Sequence, residues 1–172
     1  MEYKVHISGL ADGKYEYEFP VGMELFEEFG NTQVEGANLT AKVTLEKGSG
    51  WMNVRCQVSG TLTTLCDRCL EELTIPISFD STMAVKHAKL GEDTEVSDEF
   101  IIVDHSEGEL DLKQFLYDSV CINIPLKKTH RPGECNPQMI KKLESLDPGG
   151  GHTEDKDIYS PFEKLREMIN KK

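Results

Sequence analysis

Two cysteines two residues apart, Cys66 and Cys69 in Leu65-Cys66-Asp67-Arg68-Cys69-Leu70-Glu71, carry the clearest chemical signal in the chain. This spacing puts two thiols within reach of one metal ion, or of each other. About 60 residues further on, the polar stretch Thr129-His130-Arg131-Pro132-Gly133-Glu134-Cys135 offers an imidazole and a third thiol. Thiolates are soft donors, imidazole suits the same ions, and structural zinc sites gather two ligand pairs from separate turns. Cys66, Cys69, His130 and Cys135 are therefore the candidate metal ligands, and zinc is the expected cofactor. Such a centre would clip a cysteine turn to a distant second turn. Spacing alone also leaves open two inert reduced thiols beside an unrelated histidine and cysteine.

A thiol-disulfide oxidoreductase is the enzymatic alternative. It needs the cysteine pair at a helix N-terminus, where the helix lowers the thiol pKa. Here both flanks read as strands, and Leu73-Thr74-Ile75-Pro76 soon resumes an extended pattern. Cys56 is in phase with Met52, Val54 and Val58 and reads as a small core residue, and Cys121 follows a helical stripe and reads the same way. Arg68 is a candidate for phosphate or partner binding, or for pairing with Glu71 or Glu72. No Gly-rich phosphate loop, Ser-His-Asp order or catalytic carboxylate pair stands out.

The elements that must position these residues follow from periodicity. Tyr3, Val5 and Ile7 alternate with polar residues, as do Tyr15, Tyr17 and Phe19, with a turn at Ala11-Asp12-Gly13 between them. Leu25, Phe26 and Phe29 have helical spacing, closed by Gly30-Asn31. Leu39 to Leu45 and Met52 to Val58 are alternating strands around the turn Lys47-Gly48-Ser49-Gly50. Ser59-Gly60 reads as a break before a further strand from Leu62 into Cys66, and Ile75, Ile77 and Phe79 resume after the cysteine turn. Residues 91–99 read as an acidic surface loop and Phe100-Ile101-Ile102-Val103 as a short buried strand. Asp111 reads as a helix cap with Gln114 three residues on, ahead of the stripe Leu112, Phe115, Leu116 and Val120. Asn136-Pro137 opens another helix, carrying Met139, Ile140 and Leu143.

The expected fold is α+β: a mostly antiparallel sheet or partly open barrel with a few packed helices. Residues 1–146 form the main domain carrying the cysteine turn, and 147–159 a flexible acidic linker with Pro148-Gly149-Gly150-Gly151. A C-terminal helix spans 160–172, with Ser160-Pro161-Phe162-Glu163 as its start. Phe162, Leu165 and Ile169 share a face on it, and Phe162 and Leu165 are candidate contacts to the main domain or to a partner.

The chain has 172 residues, 38% hydrophobic and 29% charged, enough for one ordinary domain with a sizeable core. No apolar run approaches the roughly 20 residues needed to cross a bilayer, and Met1-Glu2-Tyr3-Lys4-Val5-His6-Ile7 lacks a signal-peptide pattern. The reading is a cytoplasmic protein whose five cysteines serve as thiols or metal ligands rather than disulfides. A net charge of -12 repels phosphate and favours a basic protein partner, although Lys127, Lys128, His130 and Arg131 form a local cationic run.

At these residues the chain resembles the YceD family, the large ribosomal RNA subunit accumulation proteins. The resemblance rests on Leu65-Cys66-Asp67-Arg68-Cys69-Leu70-Glu71, Gly108-Glu109-Leu110-Asp111-Leu112, Ile124-Pro125-Leu126, His130 with Cys135, and Ser160-Pro161-Phe162-Glu163-Lys164-Leu165. It implies a non-enzymatic role in accumulation or processing of large-subunit ribosomal RNA, with a ribosomal protein, a pre-ribosomal particle or the RNA itself as partner. Many relatives carry more cysteines in the later turn. This chain has only Cys135 there, so a mixed site needs His130. A purely structural interaction module is the remaining alternative.

Overall fold

The computed structural model describes residues 2–88, 100–104 and 108–146, and the expected acidic loop, linker and C-terminal helix, with Phe162 and Leu165, lie outside them. In chain order the elements are β1 (Lys4–His6), β2 (Gly13–Gly22), α1 (Met23–Glu28), β3 (Val34–Gly48), β4 (Trp51–Leu65), β5 (Glu72–Ala88), β6 (Phe100–Asp104), β7 (Glu109–Asp111), α2 (Lys113–Asn123) and α3 (Pro137–Leu146). The fold is α+β, as expected, and its main sheet is open, with order β2-β3-β4-β5-β6. The chain divides into two units between Asn136 and Pro137, and α3 is the described part of the second.

Alternation in β3 and β4 decides which face of the sheet is buried. Val43 lies opposite Cys56, Leu45 opposite Val54, and Ala41 opposite Val58, and all six are buried. A strand of period two sends these residues to one side and their polar neighbours to the other. The core on that side is completed by Leu25 and Phe26 of α1, by Leu112, Leu116 and Val120 around α2, and by Tyr3, Val5, Ile7 and Leu110. Cys56 is fully buried among them, which matches its reading as a core residue. Lys47 ties the N-terminal segment to the sheet, donating from Nζ to the carbonyls of Ile7 at 3.1 Å and Leu10 at 2.8 Å.

Two expectations are corrected. Ser59-Gly60 is no break: β4 runs unbroken from Trp51 to Leu65. Gly60, at φ 147°, faces Leu39 across the ladder, and a Cβ built there would sit 2.2 Å from the Asn38 carbonyl oxygen. Glycine allows this close approach inside the strand, where the sequence suggests a turn. The main sheet is mostly antiparallel, as expected: only β6, on β5, pairs parallel. Second, Asp111 ends β7, which pairs with β1, and Leu112 takes the cap position. The Asp111 side chain still accepts from the Lys113 N–H at 2.8 Å. Gln114 does not reach back, and its side chain donates to Asp118.

The length of β4 and β5 matters most for the site. Their ladder stays in register to Leu65 opposite Glu72, so the six residues between them form a tight turn at the end of a long, rigid hairpin. Replacing Gly60 with alanine should strain this hairpin through the closed approach to Asn38 and the Gly-only backbone region. We expect a stability loss of about 2–3 kcal/mol in urea unfolding.

Candidate metal centre

The turn between β4 and β5 is built by its own backbone. The Cys66 N–H donates to the Glu71 carbonyl at 2.8 Å, and the Leu70 N–H returns to the Cys66 carbonyl at 2.9 Å. To close the turn, Leu70 takes φ 58°, the one non-glycine residue in the left-handed region among the described residues. That conformation costs an L-residue about 1–2 kcal/mol.

The second loop follows α2. It contains a tight turn at Arg131-Pro132-Gly133-Glu134, closed by the Glu134 N–H donating to the Arg131 carbonyl at 3.0 Å. Gly133 has φ 89°, and proline followed by a glycine of positive φ is the signature of a type II turn. This turn brings Cys135 back towards His130.

The two loops meet through reciprocal hydrogen bonds. The Asp67 N–H donates to the Lys128 carbonyl at 2.7 Å, and the Lys128 N–H donates to the Asp67 carboxylate at 2.6 Å. Arg68 Nη2 donates to the His130 carbonyl at 2.7 Å. Asn136 Nδ2 donates to Glu71 at 2.6 Å. The sequence marks Asp67, Glu71 and Lys128 for no such role, and Arg68 only as a partner contact or the mate of a neighbouring acid. Their mates lie about 60 residues away, and no local pattern signals them.

This docking brings the four expected ligands together. One donor atom from each of Cys66, Cys69, His130 and Cys135 lies within 4.8 Å of the others. Cys66 Sγ is 4.0 Å from Cys135 Sγ, and Cys69 Sγ is 3.3 Å from His130 Nδ1. A tetrahedron with Zn–S of about 2.3 Å and Zn–N of about 2.0–2.1 Å has edges of roughly 3.5–3.8 Å, so the donor set fits with little movement. The three cysteines are buried. His130 Nε2 lies 3.1 Å from the Glu72 carbonyl. With its proton given to that oxygen, Nδ1 presents its lone pair to the sulfurs, the arrangement that orients metal-bound histidines.

The charge pattern points the same way. Burial raises the Cys66 thiol, but N–H groups of Cys69, His130 and Arg68 aimed at its sulfur outweigh this and hold it at about 6. Burial likewise opposes ionisation of Cys69, while N–H groups of Asn136 and Glu71 bring it below the usual thiol range. The Cys66 sulfur, against the opposition of burial, raises the His130 imidazole. Burial and the neighbouring sulfurs push Cys135 up. The protein alone thus favours negative charge on Cys66 and Cys69 and resists a third thiolate in the same small space. A divalent cation at the centre would relieve that conflict. Four protein donors fill a tetrahedron, which is the closed, structural kind of site.

An open α+β sheet whose hairpin turn is clasped to a second loop around three sulfurs and one imidazole defines a small protein with a candidate structural metal centre. The family model described as large ribosomal RNA subunit accumulation protein YceD matches residues 54–168, and the chain belongs to that family. The match takes in most of β4, all of β5 and α2, and all four cluster residues. Searches of curated proteins and of solved structures find no match. No helix among the described residues is long and apolar enough to cross a membrane.

Protein prepared with zinc under reducing conditions should carry one ion per chain by elemental analysis. Cys66→Ser and Cys69→Ser should abolish it and lower stability by about 4 kcal/mol or more, whereas Cys56→Ser should keep the ion. Binding must strip protons held by Cys135 and His130. Zinc affinity should therefore rise with pH while these groups still hold their protons, and titration calorimetry in buffers of different ionisation enthalpy should show proton release.

Proposed function

We propose that this protein is a non-enzymatic assembly factor that supports accumulation or processing of large-subunit ribosomal RNA in the cytoplasm. In this reading, zinc held by Cys66, Cys69, His130 and Cys135 fixes its shape. The observation that carries the reading is the family match, which spans the cysteine turn and the second loop. The family's description names an RNA that accumulates and no reaction.

Charge distribution favours a basic protein as the direct partner. The whole net charge of -12 falls in residues 1–136, while 137–172 carries seven residues of each sign. A body of that charge attracts a basic ribosomal protein over distances of about a Debye length and repels bare RNA backbone. The factor would hold such a protein before or during its delivery to the particle.

The oxidoreductase reading draws support from the lowered Cys66 and Cys69 thiols alone. Against it, Cys66 and Cys69 are 0% and 2% exposed and sit in a strand-to-strand turn. A redox cysteine must meet its substrate and is normally accessible at a helix N-terminus.

Loss of the protein should lower the ratio of large- to small-subunit ribosomal RNA, and the wild-type chain should restore it. The chain carrying both Cys66→Ser and Cys69→Ser should restore it poorly. A normal RNA profile in the deletion strain would overturn the reading. Salt-sensitive binding to naked RNA, with none to basic ribosomal proteins, would reverse the choice of partner.

A further inference from the structure

We infer that Leu70, in the cysteine turn, is the centre of a contact that enters an apolar pocket on a protein component of the large-subunit precursor; this rests on the ribosomal reading above. Leu70 is 62% exposed and holds φ 58°. Glycine adopts that conformation at no steric cost, and a leucine does not. Neither the turn nor the donor cluster uses its side chain, since Leu70 enters the turn through its backbone N–H. A large apolar side chain is therefore held out to solvent in a conformation that opposes it, and backbone strain of this kind gathers where a surface works.

Two further leucines flank the junction, one ending β4 and one in the second loop. Leu65, just before Cys66, is 39% exposed, and Leu126, two residues before the Lys128 that bonds Asp67, is fully exposed. Leucine has no ring to stack on a base and no hydrogen bond for a phosphate, so single-stranded RNA gains less from it than from an aromatic or a cationic side chain. It gains by entering an apolar pocket, which a folded protein supplies. The charges on these loops are mixed: Arg68, Lys127 and Arg131 are exposed alongside Glu72 and Glu134. That is the polar rim of a protein contact, and a phosphate-binding surface would carry one sign.

The test uses the full chain, with large-subunit precursor particles and protein-free large-subunit RNA as probes. Leu70→Gly relieves the backbone, and Leu70→Asn keeps a side chain that tolerates the left-handed region but is polar. Both should retain zinc and a thermal midpoint close to wild type, yet bind precursor particles at least about tenfold more weakly in co-sedimentation. Leu70→Met should bind like wild type. If wild type pellets and both variants pellet equally, the Leu70 contact falls while the ribosomal reading stands. If wild type does not pellet, the ribosomal reading falls and takes the contact with it. Loss of zinc in both variants, or binding to protein-free RNA that Leu70→Asn weakens equally, would also overturn it.

Discussion

The docking of one loop on another, 69 residues apart between Cys66 and Cys135, is the constraint on which the rest depends. Fixing two points that far apart in a chain costs about 4 kcal/mol of closure entropy. Besides the contacts to the sulfurs, five hydrogen bonds cross the junction: two between Asp67 and Lys128, and one each for Arg68–His130, Asn136–Glu71 and His130–Glu72. At about 1 kcal/mol each they come to about 5 kcal/mol, and less where Asp67, Arg68 and Glu71 are solvated. Protein contacts alone therefore leave the clasp near balance. A structural zinc ion contributes far more than that difference, so in the proposed reading the ion decides whether the clasp is closed.

The same clasp explains why the sheet is built as it is. A turn that presents two thiols to a distant loop must itself be held rigidly. Here it stands at the end of β4 and β5, whose ladder runs from Trp51 opposite Lys86 to Leu65 opposite Glu72. The strands are held by burial of one face: Met52, Val54, Cys56, Val58 and Leu62 on β4 against the helices and the N-terminal segment. Gly60 lets β4 pass through a close approach that would otherwise end it. Core packing thus sets the direction of the hairpin, and the hairpin sets the position of the sulfurs.

Much of this was legible in the residues. Alternation of small apolar and polar side chains marked β3, β4 and the start of β5, and soft donors at metal-ligand spacing marked all four members of the cluster. What was hidden shares one cause. The parallel partner of β5, the pairing of β1 with β7, and the bonds of Asp67 and Arg68 to Lys128 and His130 all join residues far apart in sequence. Local periodicity carries no information about such pairings. Gly60 misled for a related reason: a glycine that makes room for a neighbouring strand looks, in one dimension, like a glycine that makes a turn. The left-handed Leu70 was equally invisible, because leucine is the last residue type from which a positive φ would be inferred.

A cluster whose four donors would close a tetrahedron has no place for a substrate on the ion. In the proposed reading, chemistry at the centre is therefore exhausted by holding, and contact with the outside falls to what the centre holds in place. The turn arranges this economically. Cys66 and Cys69 face inward and are buried, while Asp67, Arg68 and Leu70, interleaved with them and following them, face outward. Asp67 and Arg68 are spent on the second loop, which leaves Leu70 as the outward side chain of the turn that neither loop uses. In that reading a metal clip and a strained, exposed leucine are two sides of one six-residue turn. The clip limits the freedom the leucine would lose on binding, and a preorganised apolar contact loses less affinity to ordering than a mobile one.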